Sequence, residues 1–542
     1  MKSIGIAMIT CRRSSACLVA VVLSAAAAAS SQPLSAARIR EHVRFLSSDL
    51  LEGRGVGVRG GDLATEYLAT QFALAGAQPA GEKGTYFQRV PLVGVETAPA
   101  AQLSASSPSS NLSFAWLTDW VGQAEDQKPE TDFEGDAIFV GHGIAAPEWN
   151  WDDFKGVDVR GKVLVLFTNE PTSTDPKFFD GRALTYYGRW VYKYEEALRR
   201  GATAAIIIHT TPTAGYGWDV VRSSWGREDL QVKLAPGEKS LALAAWVSRD
   251  AGEKLLALAG KNVDDLLKAA DSRDFRPIPL GIRIRGAIPS KVRDIESRNV
   301  AALVPGNDPK LKDEVVVYTA HWDHLGKGEA VKGDDIYNGA VDNATGCGIL
   351  LELARAWAAR PQKPRRSALF VAVTGEEGGL RGSEFYASHP LIPPAKTAID
   401  LNYDAIFPWG RIQDVVLNGA ERTSVYPLVQ ATARRLELTI SPDSEPEQGS
   451  YFRSDHFSFA RVGIPAFSID NGSHYAGKSP DFFKKSWDEF NADHYHQPSD
   501  EFHPDWDFTA LEQAAEFGLL LGTDIANQDR LPDWKPGDQF HR

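Results

Sequence analysis

The sequence has little cysteine, a deficit of positive charge and no internal repeats. Its 542 residues include three cysteines, and 58 lysines and arginines stand against 71 aspartates and glutamates. The resulting formal net charge of −13 argues against nucleic acid or an anionic membrane surface as a partner, because both attract basic proteins. Hydrophobic residues make up 43% of the chain, which is typical of a soluble globular protein.

The N-terminal segment has the pattern of a secretory signal peptide. Lys2, Arg12 and Arg13 precede an apolar run from about Ala16 to Ala29, and small residues follow. The run is shorter than the roughly 20 residues that a membrane-spanning helix needs, and a retained membrane anchor is the alternative. We therefore expect residues 1–30 to be removed and the protein to be exported, to a bacterial periplasm or medium.

Removal of this segment would leave a single cysteine. Cys11 and Cys17 would leave with it, and Cys347 alone cannot form an internal disulfide. The exported protein would then not depend on cross-links, which suits the bacterial periplasm or medium. Cys347 lies between two glycines at a predicted helix start, so we expect it to pack rather than to react.

The chain is too long for one hydrophobic core, and its residue pattern changes along its length. Helical patterns with glycine-rich turns come first. Short β-branched runs then indicate a separately folded, β-rich α/β module; they are Asp136–Gly141, Lys162–Phe167 and Ala204–Ile208. We predict an N-terminal part of the main domain at 33–110, an inserted domain at 111–290 and the catalytic part at 291–542.

The catalytic part alternates predicted strands with predicted helices. Apolar runs such as residues 314–320 and 367–374 are typical of strands covered on both faces. Residues 348–360 have apolar side chains at helical spacing and are expected to pack on the sheet. Repeated strand–helix order predicts an α/β fold with a doubly wound, mainly parallel sheet.

Acidic and imidazole side chains follow three of these strands. His321 and Asp323 come at the end of the first, Glu376 and Glu377 follow the second, and Asp404 closes the third. In an open α/β sheet the site lies outside the carboxyl ends of the strands, so we expect these side chains to converge. Together they offer the donor atoms that a metal centre needs.

Each candidate also has a structural interpretation. Asp323 can accept the second ring N–H of His321 and fix its tautomer, or the two can form a surface salt bridge. Asp342 lies in a glycine-flanked turn, where it can bind two cations or cap the following helix. Glu376 and Glu377 repel each other, so a cation would stabilise the pair, although an exposed acidic turn is the alternative.

A second histidine is expected from the loop DHYHQPSDEF, in which His496 is the candidate and His494 and His503 are competitors. His324 is expected to point elsewhere and is interpreted as a bystander, and Asp400 is interpreted as a structural residue. Two imidazoles, three carboxylates and one further glutamate fit two zinc ions that share one carboxylate. The further glutamate would then act as general base.

These motifs resemble the co-catalytic two-zinc aminopeptidases, of the secreted bacterial leucyl-aminopeptidase and aminopeptidase Y type. The segments that carry the resemblance are HWDHLG, YNGAVDNATG, TGEEGGLRGS, NYD, YFRSDHFSFARVGIPA and YHQPSDE. The segments FVGHGIAAPEWNWDDFKGVDVRGKVLVLF and EEALRRGATAAIII are similar to a protease-associated domain. The resemblance implies an exported zinc aminopeptidase acting on peptides with a free N-terminus, without a stable membrane partner.

The resemblance also implies the metal ligands. His321 and Asp404 would bind one zinc ion, His496 and Glu377 would bind the other, and Asp342 would bridge the two.

The catalytic residues implied by the resemblance are Glu376, Tyr451 and Asp323. Glu376 would be the general base, and Asp323 would orient the first zinc-binding histidine. Tyr451 lies three residues before the Ser-Asp-His tripeptide and would hold the oxyanion, with Tyr495 as runner-up. Arg453 departs from simpler members of the family and would meet either a substrate carboxylate or a structural acid.

Other functions stay open at this point. The same scaffold carries carboxypeptidases and single-zinc glutaminyl cyclases, although the interval from His321 to Asp342 matches the aminopeptidases rather than the glutamate carboxypeptidases. A non-catalytic binding ectodomain would lack ligands, and none is missing. The inserted domain would either restrict access to the cleft or only pack against it. Neither the preferred N-terminal residue nor the oligomeric state follows from the sequence.

Overall fold

A single long strand runs through both sheets of the fold in the computed structural model, which describes residues 34–541. This strand is Ile278–Val304. Its first half pairs with Gln102–Ser107 and Glu130–Phe139, and its second half pairs with Phe87–Thr97 and then with Ser367–Val373. The predicted signal peptide at residues 1–30 lies outside the described residues.

The sheet formed by strands of residues 291–542 consists mainly of parallel strands. In spatial order they are Ala466–Ser468, Thr397–Asn402, Val315–His321 and Ser367–Val373. Successive side chains of a strand point to opposite faces. Val316 and Tyr318 accordingly pack into one core and Val315 and Val317 into another.

Helices cover both faces of this sheet, which explains why its strands are apolar throughout. On one face lie Ala36–Leu46, Arg59–Ala75, Thr345–Ala358 and Thr509–Ala526. On the other face lie Arg381–Ser388 and His456–Arg461. The predicted α/β class with a large, mainly parallel sheet is confirmed.

The second sheet has its own hydrophobic cores. Its parallel strands are Glu130–Phe139, Val163–Phe167, Ala204–Ile208 and Leu243–Val247, with Trp120–Gln123 antiparallel at the edge. Its helices are Trp190–Arg199, Trp218–Trp225, Arg249–Ala257 and Val263–Ala270. Side chains of this sheet pack with each other and with these helices, and they form hydrophobic cores that are separate from those of the first sheet.

The remaining elements are short or peripheral. The other helices are Thr211–Ala214, Tyr426–Arg435 and Phe482–Asp493. The other strands are Gln78–Pro79, Ser110–Phe114, Ala145–Ala146, Trp151–Asp152, Asp229–Val232, Gly326–Val331, Asp334–Tyr337, Asp414–Val416, Thr439–Ser441 and Asp470–Asn471. Within residues 34–541, no helix has both the length and the apolar character needed to cross a membrane.

Candidate metal centre

The acidic and imidazole candidates meet at the carboxyl ends of the central strands. His321 is the last residue of Val315–His321, and Glu377 follows Ser367–Val373 by four positions. Asp404 comes two residues after Thr397–Asn402. The parallel strands end at one edge of the sheet, so their polar ends are brought together there, as expected for this architecture.

The two carboxylate oxygens of Asp342 face two separate groups of side chains. Oδ1 lies 3.2 Å from Nε2 of His321, which in turn is 3.1 Å from Oδ1 of Asp404. Oδ2 lies 3.4 Å from Nε2 of His496, which is 3.1 Å from Oε2 of Glu377. Asp342 therefore stands between one histidine–carboxylate pair and another.

Hydrogen bonds from the backbone of residues 340–342 to Asp500 hold Asp342 in this position. The buried carboxylate of Asp500 accepts the N–H of Val341 at 2.9 Å and the N–H of Asp342 at 3.1 Å. The carbonyl oxygen of Asp500 also accepts the N–H of Ala340 at 2.9 Å. Asp500 lies four residues after His496, so the contacts connect the loop of one candidate ligand to the turn of another.

Arg54 stabilises the same region through hydrogen bonds to backbone carbonyl oxygens. It is 1% exposed, and its guanidinium donates to the carbonyl oxygens of Trp322 at 2.8 Å, Asn338 at 2.6 Å and Gly339 at 2.8 Å. These carbonyls belong to the segments that carry His321 and Asp342. The sequence reasoning missed both Arg54 and Asp500, although each lies in a motif or glycine-rich turn that it singled out.

Asp323 connects His321 to the turn with the two glutamates. Nδ1 of His321 donates to the main-chain carbonyl of Asp323 at 3.2 Å, whereas the Asp323 carboxylate is 4.0 Å away. Oδ1 of that carboxylate instead accepts the N–H of Glu376 at 3.3 Å. The expected tautomer of His321, with Nε2 free to bind a metal, thus comes from a backbone acceptor.

Glu376 sits at the edge of the cluster in a tight turn. Burial raises the pKa of its carboxyl well above the usual value; the charge of His321 opposes this shift, and the negative charges of Asp404 and Glu377 add to it. Leu230, from the strand Asp229–Val232, packs on this turn. A Cβ at Gly378 would lie 2.8 Å from the Leu230 side chain, so only glycine allows this approach.

A chain of hydrogen bonds orients Asp404. Ser454 donates its hydroxyl to Oδ2 of Asp404 at 2.6 Å and accepts the side-chain amide of Asn402 at 2.7 Å. The next residue, Ala405, has a φ of 52°, and His496 has a φ of 58°. Both values lie in the left-handed region that non-glycine residues seldom adopt, which is a common feature of functional sites.

The two tyrosines considered for the oxyanion lie in different places. Tyr451 is buried in the core, where its hydroxyl donates to the carbonyl of Ala466 at 3.0 Å and its ring contacts His456. It is not among the side chains that the structure brings together. Tyr495 is half-buried, and its ring stacks on that of His496 with centroids 3.9 Å apart. The geometry therefore favours Tyr495.

The nearby side chains that were not assigned as metal ligands divide into two groups. Asp400 is buried inside its strand and accepts the hydroxyl of Thr319 at 2.9 Å, which agrees with a structural role. His494 contacts the carbonyl of Ser499. His324, in contrast, is buried with Nδ1 2.6 Å from Oε1 of Glu377, in close contact but without hydrogen-bond geometry. The prediction that His324 points elsewhere is wrong.

Cys347 has the packing role expected from the sequence. It is buried, and its thiol donates to the carbonyl of His321 at 3.2 Å. Burial raises the pKa of the Cys347 thiol to about 12, so the reactive thiolate is not formed at neutral pH.

The donor atoms suit a divalent metal. One nitrogen or oxygen atom from each of His321, Asp342 and Glu377 lies within 4.8 Å of the others. Within the described chain, Oε1 of Glu377 is buried without a hydrogen-bond partner. Burial opposes protonation of His496, but Glu377 and Asp342 outweigh it and raise its pKa to about 10. Carboxylates that attract a proton so strongly also attract a cation, and imidazole with carboxylate is a donor set that zinc accepts.

Comparisons with known proteins point to one family. Residues 299–517 match the family described as Peptidase family M28. A probable zinc metalloprotease of Pyricularia oryzae is 35% identical over 121 residues, or 20% of this chain and 22% of that protein. Aminopeptidase YwaD of Bacillus subtilis is 26% identical over 170 residues, or 31% and 34% of the two chains. The matches thus span about a fifth and a third of these curated relatives.

A solved structure extends the likeness to most of the chain. The aminopeptidase from Aneurinibacillus sp. strain AM-1 has a TM-score of 0.51 at 20% identity, covering 94% of this chain and 98% of that one. At this identity the likeness concerns the fold. It includes both sheets, since so little of either chain is left out.

Proposed function

Residues 299–517 belong to Peptidase family M28, and on this premise we propose that the protein is a zinc-dependent aminopeptidase that removes N-terminal residues from peptides. The observation that carries the proposal is the position of Asp342, whose two oxygens face two different histidine–carboxylate pairs. A carboxylate between two such pairs can be shared by two neighbouring metal ions, and such ions act together in two-metal hydrolytic sites.

The proposal assigns each ligand to one of two zinc ions. His321 and Asp404 would hold the first ion, His496 and Glu377 would hold the second, and Asp342 would be shared. Zinc ions held there would supply Lewis-acid chemistry, polarising the scissile carbonyl and increasing the acidity of water. Asp323 would keep the proton of His321 on Nδ1 through its main-chain carbonyl, which leaves Nε2 available as a ligand.

Glu376 would move the proton. Its carboxylate would take a proton from the attacking water and then pass it to the nitrogen of the leaving amine. A general base works best when its pKa lies near the working pH, and burial among neighbouring carboxylates shifts the pKa of Glu376 in that direction. The hydrogen bond between its main-chain N–H and Asp323 sets the position of the turn.

Aminopeptidase YwaD of Bacillus subtilis is among the relatives of the chain, and this supports an aminopeptidase rather than a carboxypeptidase. Acidic groups near the zinc ions would also hold the free α-ammonium of the substrate, which an acylated N-terminus lacks. We also propose that Tyr495, rather than Tyr451, holds the oxyanion, since its ring stacks directly on His496.

The proposal is tested by zinc content and by substrates in parallel. We expect two zinc ions per chain, cleavage of Leu-p-nitroanilide, and no cleavage of its N-acetylated form. Glu376→Gln should keep the zinc and lose at least a thousandfold in kcat, whereas Glu384→Gln, on the nearby helix, should keep full activity. Equal cleavage of the blocked substrate would contradict the aminopeptidase assignment, and an active Glu376→Gln variant would contradict the general base.

A further inference from the structure

The inserted part of the chain meets the catalytic part next to the proposed zinc site. The N–H of Leu184 donates to the carbonyl of Pro446 at 3.0 Å. The ring of Tyr186 lies 5.9 Å from that of Phe452. The catalytic segment then continues to Ser454, whose hydroxyl bonds to Asp404. This junction, formed by residues 184–189 and 446–453, therefore borders the metal ligands.

Two arginines at this junction have no partner within residues 34–541. Neither the guanidinium of Arg189 nor that of Arg453 makes a hydrogen bond there, and no carboxylate lies within 4.0 Å of either. The Nε of Arg189 is buried without an acceptor. Arg453 is exposed to solvent, so the cost of burial concerns Arg189 alone. Burial of an unpaired cationic group is costly, and such a group is normally matched by an anion.

Two arginines next to this junction are paired. Arg182 lies 2.8 Å from Glu447, and Arg461 lies 2.8 Å from Glu195. The junction thus satisfies the cations that hold its two sides together. Arg189 and Arg453, in contrast, form no ion pair across the junction. This is expected of groups that bind a ligand rather than of groups that join the two parts of the chain.

The two unpaired arginines lie within electrostatic reach of each other and of Tyr216. Burial lowers the pKa of Arg189 to about 10, and the positive charge of Arg453 acts in the same direction. Burial raises the pKa of Tyr216, whereas the charges of both arginines lower it. Leu184 bonds to Pro446 and Tyr186 packs on Phe452, so the segments that carry Arg189 and Arg453 lie side by side and place two positive charges at this junction.

We propose that Arg189 and Arg453 form a carboxylate-binding subsite for the peptide substrate. Guanidinium groups bind carboxylates through paired, charge-assisted hydrogen bonds, and two of them at one place can hold a single carboxylate. This proposal rests on the proposed peptidase function, and it predicts a preference for peptides that carry a suitably placed carboxylate. The carboxylate would come from the C-terminus of a short peptide or from an Asp or Glu side chain beyond the scissile bond.

The test compares substrates that differ only in one carboxylate. Leu-Gly is compared with Leu-Gly-amide to test the terminal carboxylate, and Leu-Asp-amide with Leu-Asn-amide to test a side chain. Leu-p-nitroanilide, which has no carboxylate, reports on the zinc site alone. The chains are wild type, Arg189→Gln, Arg453→Gln, Arg453→Lys and the control Arg182→Gln, whose guanidinium is paired with Glu447.

We expect wild type to prefer one carboxylate-bearing substrate by roughly 10- to 100-fold in kcat/KM, the range of a hydrogen bond to a charged group. Arg189→Gln and Arg453→Gln should lose this preference, mainly through KM, and should cleave Leu-p-nitroanilide at the wild-type rate. Arg453→Lys should keep part of the preference, and Arg182→Gln should keep all of it. If Arg189→Gln does not fold, the exposed Arg453 decides the outcome.

Equal cleavage of both members of each substrate pair by wild type would overturn the subsite. So would a preference that survives Arg453→Gln. Failure of wild type to cleave any of these substrates would overturn the peptidase proposal instead. In that event the dissociation constants of Leu-Gly and its amide, measured with wild type and with Arg453→Gln, still decide for or against the subsite.

Discussion

The carboxylate of Asp500 accepts the main-chain N–H of Asp342 at 3.1 Å. This hydrogen bond connects the loop that carries His496 to the turn that carries Asp342. Asp500 need not touch a metal to control it, because its hydrogen bonds set where the Asp342 carboxylate lies. Loss of such an outer contact to a metal ligand typically lowers metal affinity by about 10- to 100-fold.

Replacement of Asp500 by Asn is expected to weaken zinc binding by about 10- to 100-fold, because an amide can no longer accept from both N–H groups with a charged carboxylate. Competition with a chromogenic chelator measures the affinity. Asp505→Asn, at an exposed position in the following loop, is the matched control. Unchanged zinc affinity in Asp500→Asn would show that the turn holds its shape without this carboxylate.

Replacement of Arg54 by Met should destabilise the metal-free protein by about 3 kcal/mol or more. The buried carbonyl oxygens of Trp322, Asn338 and Gly339 would lose their donor, and each unsatisfied buried group costs about 1–3 kcal/mol. Urea unfolding in the presence of EDTA measures the free energy of unfolding. Arg59→Met, at an exposed position nearby, should change it by less than about 0.5 kcal/mol. Equal effects of the two changes would argue against the role of Arg54.

Replacement of Leu230 by Ala is expected to lower kcat several-fold while the zinc content and KM stay the same. Leu230 packs on Gly375 and Gly378, so its loss would loosen the turn that positions Glu376. Val232→Ala removes apolar surface from the same strand without touching that turn and serves as the control. A lower zinc content or an equal loss in both variants would indicate general destabilisation instead.

His456 is expected to make the fold sensitive to acid. Burial lowers its pKa in the folded chain to about 3, below the unfolded value of about 6.5. Between these two values only the unfolded state takes up the proton, so this contribution to stability is present at pH 7 and declines as the pH falls. The decline from pH 7 to pH 4.5 amounts to about 2–3 kcal/mol.

His456→Phe should therefore flatten the dependence of the unfolding free energy on pH over this interval. His503→Gln, at an exposed position, should leave it unchanged. Denaturant titrations at several pH values in the presence of EDTA provide the comparison. The same slope in wild type and His456→Phe would show that other groups cause the acid sensitivity.

The sequence was sufficient to predict where the candidate ligands lie in the chain. His321, Glu377 and Asp404 each follow an apolar run, and parallel strands bring their carboxyl ends to one edge of a sheet whatever the details of packing. For the same reason the apolar character of these runs predicted a sheet covered on both faces. These are properties of local pattern and of the general geometry of α/β folds.

Contacts between residues far apart in the chain were beyond such reasoning. Arg54 and Asp500 bond to backbone groups near Asp342, and nothing in their own neighbourhoods shows which carbonyls or N–H groups will be within reach. Tyr451 satisfied a spacing rule, yet its hydroxyl bonds to Ala466, while Tyr495 stacks on His496. Direction of a side chain depends on packing, which sequence spacing does not specify.

The sequence by itself determined the donor types, their places at strand ends and the α/β order that gathers them. Only the tertiary structure decided that the two oxygens of Asp342 face different histidines, that His324 touches Glu377, and that Arg189 and Arg453 have no partner among residues 34–541. The physical reason is that hydrogen bonds and ion pairs depend on distances of a few ångströms. Those distances are set when separate segments pack together.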